Sequence, residues 1–283
     1  MRPLAPILVV ELFPEVRRRL VTLLADLSES RWRLPTVCSG WSVKDVALHL
    51  LGVNVANLSQ RRDGFGGAFA AFVPPGTDLA DHAAVVASLA AWNQAWVVAT
   101  RRLSSRLLCE LLTATGEAVE AHYRGLDPMS LGAAIRWAGP EPAPVWLDLA
   151  REYTEQWVHQ AQIRDALGLP VPDDPRLLAP VLDTFMRAIP HTLRADTPPA
   201  GTCLRVTVVG EAGGEWLAVR HDNRWVLGRD PARRADASVA MDQDTAWRLA
   251  TKGLTPAAAR RLTQIEGDAR LGSAVLAMTA IIA

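Results

Sequence analysis

The sequence predicts a mixed fold, a helical bundle followed by a small α+β domain, and three observations predict it. Apolar residues recur at helical spacing in most segments between residue 8 and residue 194. The segment Thr197-Pro198-Pro199-Ala200-Gly201 then breaks the pattern and has the composition of a linker. Beyond it Leu204, Val206 and Val208 alternate with polar neighbours, so the period drops from about 3.6 residues to 2. The expected division is a bundle over residues 1–196 and an α+β domain over residues 202–283, each long enough to bury a core.

Each element has its own signal. Residues 8–28 carry Leu12, Val16, Leu20, Leu23, Leu24 and Leu27 on one stripe, the mark of a first bundle helix. Pro35 and Gly40 interrupt it, and Ser42 with Asp45 three residues on forms a capping box that opens a second helix to about Arg62. Residues 63–81, with their glycines and Pro74-Pro75-Gly76, read as a long loop able to cover a site. Residues 82–124 are helical again, in two pieces parted near Ser104 and Ser105, with Leu107, Leu108, Leu111 and Leu112 on the buried side. Residues 128–144 read as irregular, and a strong helix runs from Val145 to Leu167, stopped by Gly168 and Pro170. A helix over 175–194 leads to the linker.

After the linker, a hairpin is expected from Leu204 to Val219 with its turn at 210–214, then a strand at Arg224–Leu227 after the turn His221-Asp222-Asn223, and another through Ala237, Val239 and Met241. Two helices follow, near Asp244–Thr251 and Asp268–Ile282, the second capped by Asp268.

Charge and cysteine content narrow the function. Thirty basic residues balance thirty acidic ones, so no field draws the chain to nucleic acid or to an anionic membrane. Three scattered cysteines, Cys38, Cys109 and Cys203, make neither a disulfide framework nor a zinc knuckle. The apolar run Leu4–Val10 ends at Glu11 without a cleavage pattern, and no later stretch is read as approaching a membrane span. These features predict a soluble, cytoplasmic protein.

Chemistry concentrates at three positions. His49 lies within WSVKDVALHLLG, and Glu155 and His159 lie within REYTEQWVHQAQIRDALG. Four residues apart on a helix, Glu155 and His159 share a face. Such a pair also occurs on solvated faces, but His49 sits among Val46, Ala47, Leu48, Leu50 and Leu51, and Trp157 and Val158 fall between the other two. Buried ionisable groups need partners. Two imidazoles and a carboxylate can converge on one divalent metal, and three protein ligands leave a position open for water or substrate. Zinc suits this set first, with nickel or iron as alternatives. His82, His122, His191 and His221 have no partner at ligand spacing and read as surface residues. Cys38 precedes the His49 helix without a local base to activate it, so it reads as a small packed residue that can approach the metal.

The segment Trp32 to Gly52, with Pro35, Cys38, Gly40, Trp41, Asp45 and His49 in order, resembles the N-terminal signature of the mycothiol-dependent maleylpyruvate isomerase family, within the DinB-like metal-binding bundles. Glu155 to Gly168 resembles that family's later Glu-x-x-x-His helix, and the C-terminal order of strands then helices resembles its sterol-carrier-like domain. The resemblance implies a four-helix-type DinB-like bundle and a metal held by His49, Glu155 and His159; Trp41 and Trp157, closest in sequence to these ligands, are expected to line the cofactor pocket. It also implies a low-molecular-weight thiol, mycothiol, as cofactor and a small electrophile as substrate. The implied reaction is thiol transfer or thiol-assisted cis–trans isomerisation, the work of a transferase or an isomerase. Where the family often shows an arginine before glycine, this chain has Lys252-Gly253, so Lys252 and Arg248 are the catalytic candidates for holding a substrate carboxylate. Their plain alternative is a solvated helix end. Two other classes stay open: a non-catalytic metal- or ligand-binding stress-response bundle, and a metal hydrolase with Glu152 or Asp45 as general base. Oligomeric state is not legible.

Overall fold

The computed structural model describes residues 1–78 and 81–280, apart from the side chains at 68 and 82. The last residues of the expected C-terminal helix, Ile281 and Ile282, and the side chain of His82 thus lie outside the described residues. Contacts group the chain into two compact units, Val10–Leu126 with Glu155–Val171, and Met1–Val9 with Asp127–Thr154 and Pro172–Ala283.

The first unit is helical. It holds α1 (Phe13–Ala25), α2 (Glu29–Trp32), α3 (Val43–Ala56), α4 (Ala68–Phe72), α5 (His82–Thr100), α6 (Ser105–Arg124) and the later part of α7 (Val145–Ala166). Ser42 accepts from Asp45 N while the Asp45 side chain accepts from Ser42 N, the capping box expected from sequence. Helix α3 is buried almost all round, from Val43 and Val46 through Leu51, which is why it can serve as the bundle's central rod. Leu20, Leu24, Trp32, Val97, Leu108 and Ile163 complete that core. The helix continues to Arg62 as a π-helical turn over Asn57–Arg62.

Two expectations change here. The long loop of 63–81 contains α4, where Phe69 and Phe72 set their rings edge-on to Trp92 of α5 at 5.9 and 5.0 Å. Aromatic edge-to-face contact gives that short helix a partner that local propensity does not reveal. Helix α5 also corrects the reading that no stretch approaches a membrane span. Its window Ala83–Thr100 has mean hydropathy 1.3 over 18 residues and is long and apolar enough, by composition, to cross a membrane. Its valines, alanines and one leucine are interrupted by Ser88, Trp92, Asn93, Gln94 and Trp96, so no unbroken apolar block marks it in the sequence.

The second unit is built on a six-stranded sheet in the order β1-β6-β5-β4-β7-β8. Its elements are β1 (Arg2–Pro3), the small hairpin β2 (Leu131–Ala134) and β3 (Pro142–Pro144), the start of α7, α8 (Pro175–Met186), α9 (Ile189–Thr192), β4 (Cys203–Val209), β5 (Gly214–His221), β6 (Arg224–Arg229), β7 (Ala237–Asp242), α10 (Gln243–Ala250), α11 (Pro256–Arg261), β8 (Gln264–Gly267) and α12 (Ala269–Ala274). The expected β4–β5 hairpin is antiparallel, and β7 adds to β4 in parallel. Only glycine fits at 213, since a Cβ there would lie 2.0 Å from the Val208 carbonyl oxygen. Asp268 caps α12 through Arg270 N and Leu271 N, but the helix ends at Ala274 and passes into a short 3-10 turn.

The units do not part at residues 197–201 as the period change implied. Strand β1 pairs with β6, and the Trp216 indole of β5 donates to Asp183 of α8 at 2.6 Å. The buried stripe of α8, with Leu177, Val181, Leu182 and Phe185, belongs with the sheet. Periodicity shows that a segment is helical; it does not show which body covers its apolar face. Residues 128–144, expected to be irregular, carry the β2–β3 pair, and β8 and α11 are further elements that their four- and six-residue lengths kept below the sequence signal.

Candidate metal centre

Helices α3 and α7 bring His49, Glu155 and His159 together within the helical unit, with their potential ligand atoms all inside 4.8 Å of one another. His159 Nε2 is 3.2 Å from Glu155 Oε2, and His49 Nε2 is 4.0 Å from the same oxygen. The two imidazoles meet edge to face with centroids 4.8 Å apart. Metal bonds of about 2 Å to nitrogen and oxygen place neighbouring donors roughly 3–3.5 Å apart around a tetrahedral ion. The donor set therefore fits a divalent cation with small side-chain movements, and its chemistry, two nitrogens and one carboxylate oxygen, is that of an open metal site. Both histidines are buried, at 8% and 4% exposure, so water cannot satisfy them from all sides.

The three groups also hold each other by charge. Burial alone would raise the Glu155 carboxyl, but the neighbouring imidazoles of His159 and His49 outweigh it and hold Glu155 well below the usual carboxylate range. Burial alone would lower His159; the Cys38 sulfur and the Glu155 carboxylate outweigh that and push it up to about 10. A divalent cation at this point would compete with a proton on His159.

The neighbours are specific. The Trp41 ring lies 5.2 Å from His49, tilted by 43°, and its indole donates to Gln94 at 2.7 Å. Cys38 Sγ donates to Gln162 Oε1 at 3.2 Å, and His159 Nδ1 lies 2.7 Å from that same oxygen. Gln162 escaped the sequence reading, although its place three residues after His159 was the available signal. Asn54 and Gln156, also unremarked, join α3 to α7 at 3.4 Å.

Trp157 is fully buried, and two residues from Glu155 and from His159 on one helix it projects from the opposite face, so it belongs to core packing. Arg248 donates to Asp244 at 2.8 Å and lies over the Trp247 ring at 4.3 Å, and Lys252 has φ 59° where α10 ends. Both fit the plain helix-end reading, and both belong to the sheet-containing unit. Asp45 is engaged by Arg101 and Ser42, and Arg151 holds Glu152, so neither acid is a free base for hydrolysis. His122 and His191 are half-buried rather than fully on the surface; His221 is exposed.

Residues 13–164 match the mycothiol maleylpyruvate isomerase N-terminal domain, just over half of the chain and all three proposed ligands. The chain belongs to that family. An uncharacterised protein of Mycobacterium tuberculosis, found in strains CDC 1551 / Oshkosh and H37Rv, is 28% identical over 197 residues, covering 69% of this chain and 70% of the relative. The crystal structure of the mycothiol-dependent maleylpyruvate isomerase matches with TM-score 0.49 at 12% identity, and that of a histidine-to-alanine mutant with 0.46 at 11%; each match covers 85% of this chain and 86% of the other.

Proposed function

We propose that this family member is a metal-dependent enzyme that uses a low-molecular-weight thiol, mycothiol by family, to attack a small electrophile. The observation that carries the reading is the convergence of His49, Glu155 and His159 from two helices onto one point with three donors. When bound, a divalent metal, zinc first, would lower the pKa of a thiol at its open position and so supply a thiolate at neutral pH.

The chain's own residues prepare that site. Glu155 stays ionised and adds the negative charge that a divalent ion needs, while two histidines keep the donor set neutral otherwise. Trp41 forms a wall beside His49, held in place by Gln94, where a ligand's apolar part can lie. The Cys38 thiol donates to Gln162, so the attacking thiol is read as an external one. Attack by an external thiol followed by its expulsion gives isomerisation of a conjugated double bond; attack without expulsion gives transfer.

The test combines metal-loaded protein, mycothiol or glutathione, and a panel of electrophiles including cis-enoyl acids. Turnover should need both metal and thiol and should vanish in His49→Ala. Equal rates in the parent and the variant would remove the metal from the reaction, and ester or amide cleavage without thiol would turn the reading toward hydrolysis.

A further inference from the structure

Gln162 lies almost one turn beyond His159 on α7 and is buried, with 3% exposure. Its amide oxygen stands 2.7 Å from His159 Nδ1 and 3.2 Å from Cys38 Sγ. We infer that Gln162 is a positioning residue for His159, and that Cys38 holds its amide in the orientation that leaves His159 Nε2 free to bind metal. This rests on the metal centre proposed above.

A glutamine side chain has an oxygen that accepts and a nitrogen that donates, nearly equal in shape, so neighbours decide which way it lies. A thiol facing the amide oxygen can donate its S–H. Facing the nitrogen, its sulfur would be only a weak acceptor. Cys38 therefore favours the oxygen-inward state. His159 reads that choice directly. With oxygen opposite Nδ1, that nitrogen keeps its proton, and Nε2, which faces Glu155, is the nitrogen that gives up a proton to bind metal. With the amide reversed, its N–H would face Nδ1, draw the lone pair there, and leave a proton on Nε2, where it would block the metal.

The arrangement also has a mechanical side. Cys38 stands in the turn before α3, and α3 carries His49; Gln162 stands on α7 with Glu155 and His159. One amide oxygen thus ties the loop leading to the first ligand to the helix that bears the other two. Metal-ligating histidines commonly donate their second nitrogen to a carboxylate or a backbone carbonyl. Here a neutral amide does so, which leaves the centre without a second negative charge and makes the orientation depend on a third residue.

The experiment measures zinc affinity by competition with a chromophoric chelator for the parent, Gln162→Leu, Gln162→Glu, Cys38→Ala and Cys38→Ser, alongside two-bond nitrogen–proton NMR spectra of the histidine rings in the zinc-loaded proteins. Thermal melting of each metal-free variant reports folding separately. Gln162→Leu should bind zinc about 10–100-fold more weakly, and Gln162→Glu, which retains an acceptor, should restore most of the loss. Cys38→Ala should weaken binding by a smaller factor and Cys38→Ser should stay near the parent, with His159 showing its proton on Nδ1 in the parent, Gln162→Glu and Cys38→Ser. If Gln162→Leu binds zinc as tightly as the parent, or if Gln162→Glu is as weak as Gln162→Leu although both remain folded, the positioning role is overturned while the metal centre stands. A parent protein that takes up no zinc, nickel or iron overturns both.

Discussion

Asp45 receives both prongs of the Arg101 guanidinium, at 2.8 and 3.1 Å, while the same carboxylate closes the capping box with Ser42. One side chain thus starts α3, the helix that carries His49, and fastens it to the residue that ends α5. Replacing Asp45 with Ala should cost about 1–2 kcal/mol, roughly one for the lost cap and less for a half-exposed ion pair. Burial alone would raise the Asp45 carboxyl; Arg101 and Ser42 outweigh it and hold the value below the ordinary aspartate range. A depressed folded-state pKa contributes stability that is complete above the unfolded value, about pH 4, and drains away as pH falls through the folded one. Urea titrations should therefore show a constant gap between parent and Asp45→Ala from pH 5 to 8 and a narrowing gap below pH 4; a gap that widens in acid would contradict the assignment.

Metal uptake should follow the ligands. His159→Ala, leaving two protein ligands, should lose most of the bound metal in elemental analysis of protein purified without an affinity tag. Because metal-free His159 keeps a proton up to about pH 10, binding must displace that proton. The apparent affinity should then rise about tenfold per pH unit between pH 7 and 9, and a flat profile would show that no ligand proton is displaced. The same proton stabilises the metal-free fold fully below the ordinary histidine value of 6.5 and progressively less toward 10, so chelated protein should melt lower as pH rises through that window.

Gly52 is a packing prediction beside the site. A Cβ at 52 would sit 2.7 Å from Trp96 Nε1, and that indole is fixed by donating to the Leu48 carbonyl at 2.8 Å. Gly52→Ala has to displace a rigid ring, and overpacking of this kind costs about 1–3 kcal/mol. Chemical denaturation measures it. A neutral or stabilising result, through the alanine's better helix propensity, would mean that α3 and α5 yield more easily than their contact suggests.

Trp41 should act on thiol binding more than on turnover. Trp41→Ala removes the wall beside His49, and a lost aromatic face of about 0.5–1.5 kcal/mol corresponds to a rise in thiol KM of roughly 2–10-fold. Steady-state kinetics with the thiol varied decides it. A fall in kcat at unchanged KM would place Trp41 in the reaction rather than in binding.

Most of the architecture was legible because it depends on local signals: the period change after Gly201, the Ser42–Asp45 box, the Gly168 stop and the Asp268 cap are all short-range. The three proposed ligands were legible for a related reason, since i, i+4 spacing puts Glu155 and His159 on one face and the signature around His49 stands within one helix. Partnership was not legible. That β1 joins β6, that α8 belongs with the sheet, that Trp157 is core while Trp41 stands by His49, and that Gln162 and Cys38 meet His159 are contacts between residues far apart in the chain. Periodicity tells which face of an element is apolar, and capping tells where the element begins and ends. Which other face covers it, and which buried polar atom finds which partner, is decided by the packing of the whole chain, where every apolar stripe and every buried donor must be satisfied at once.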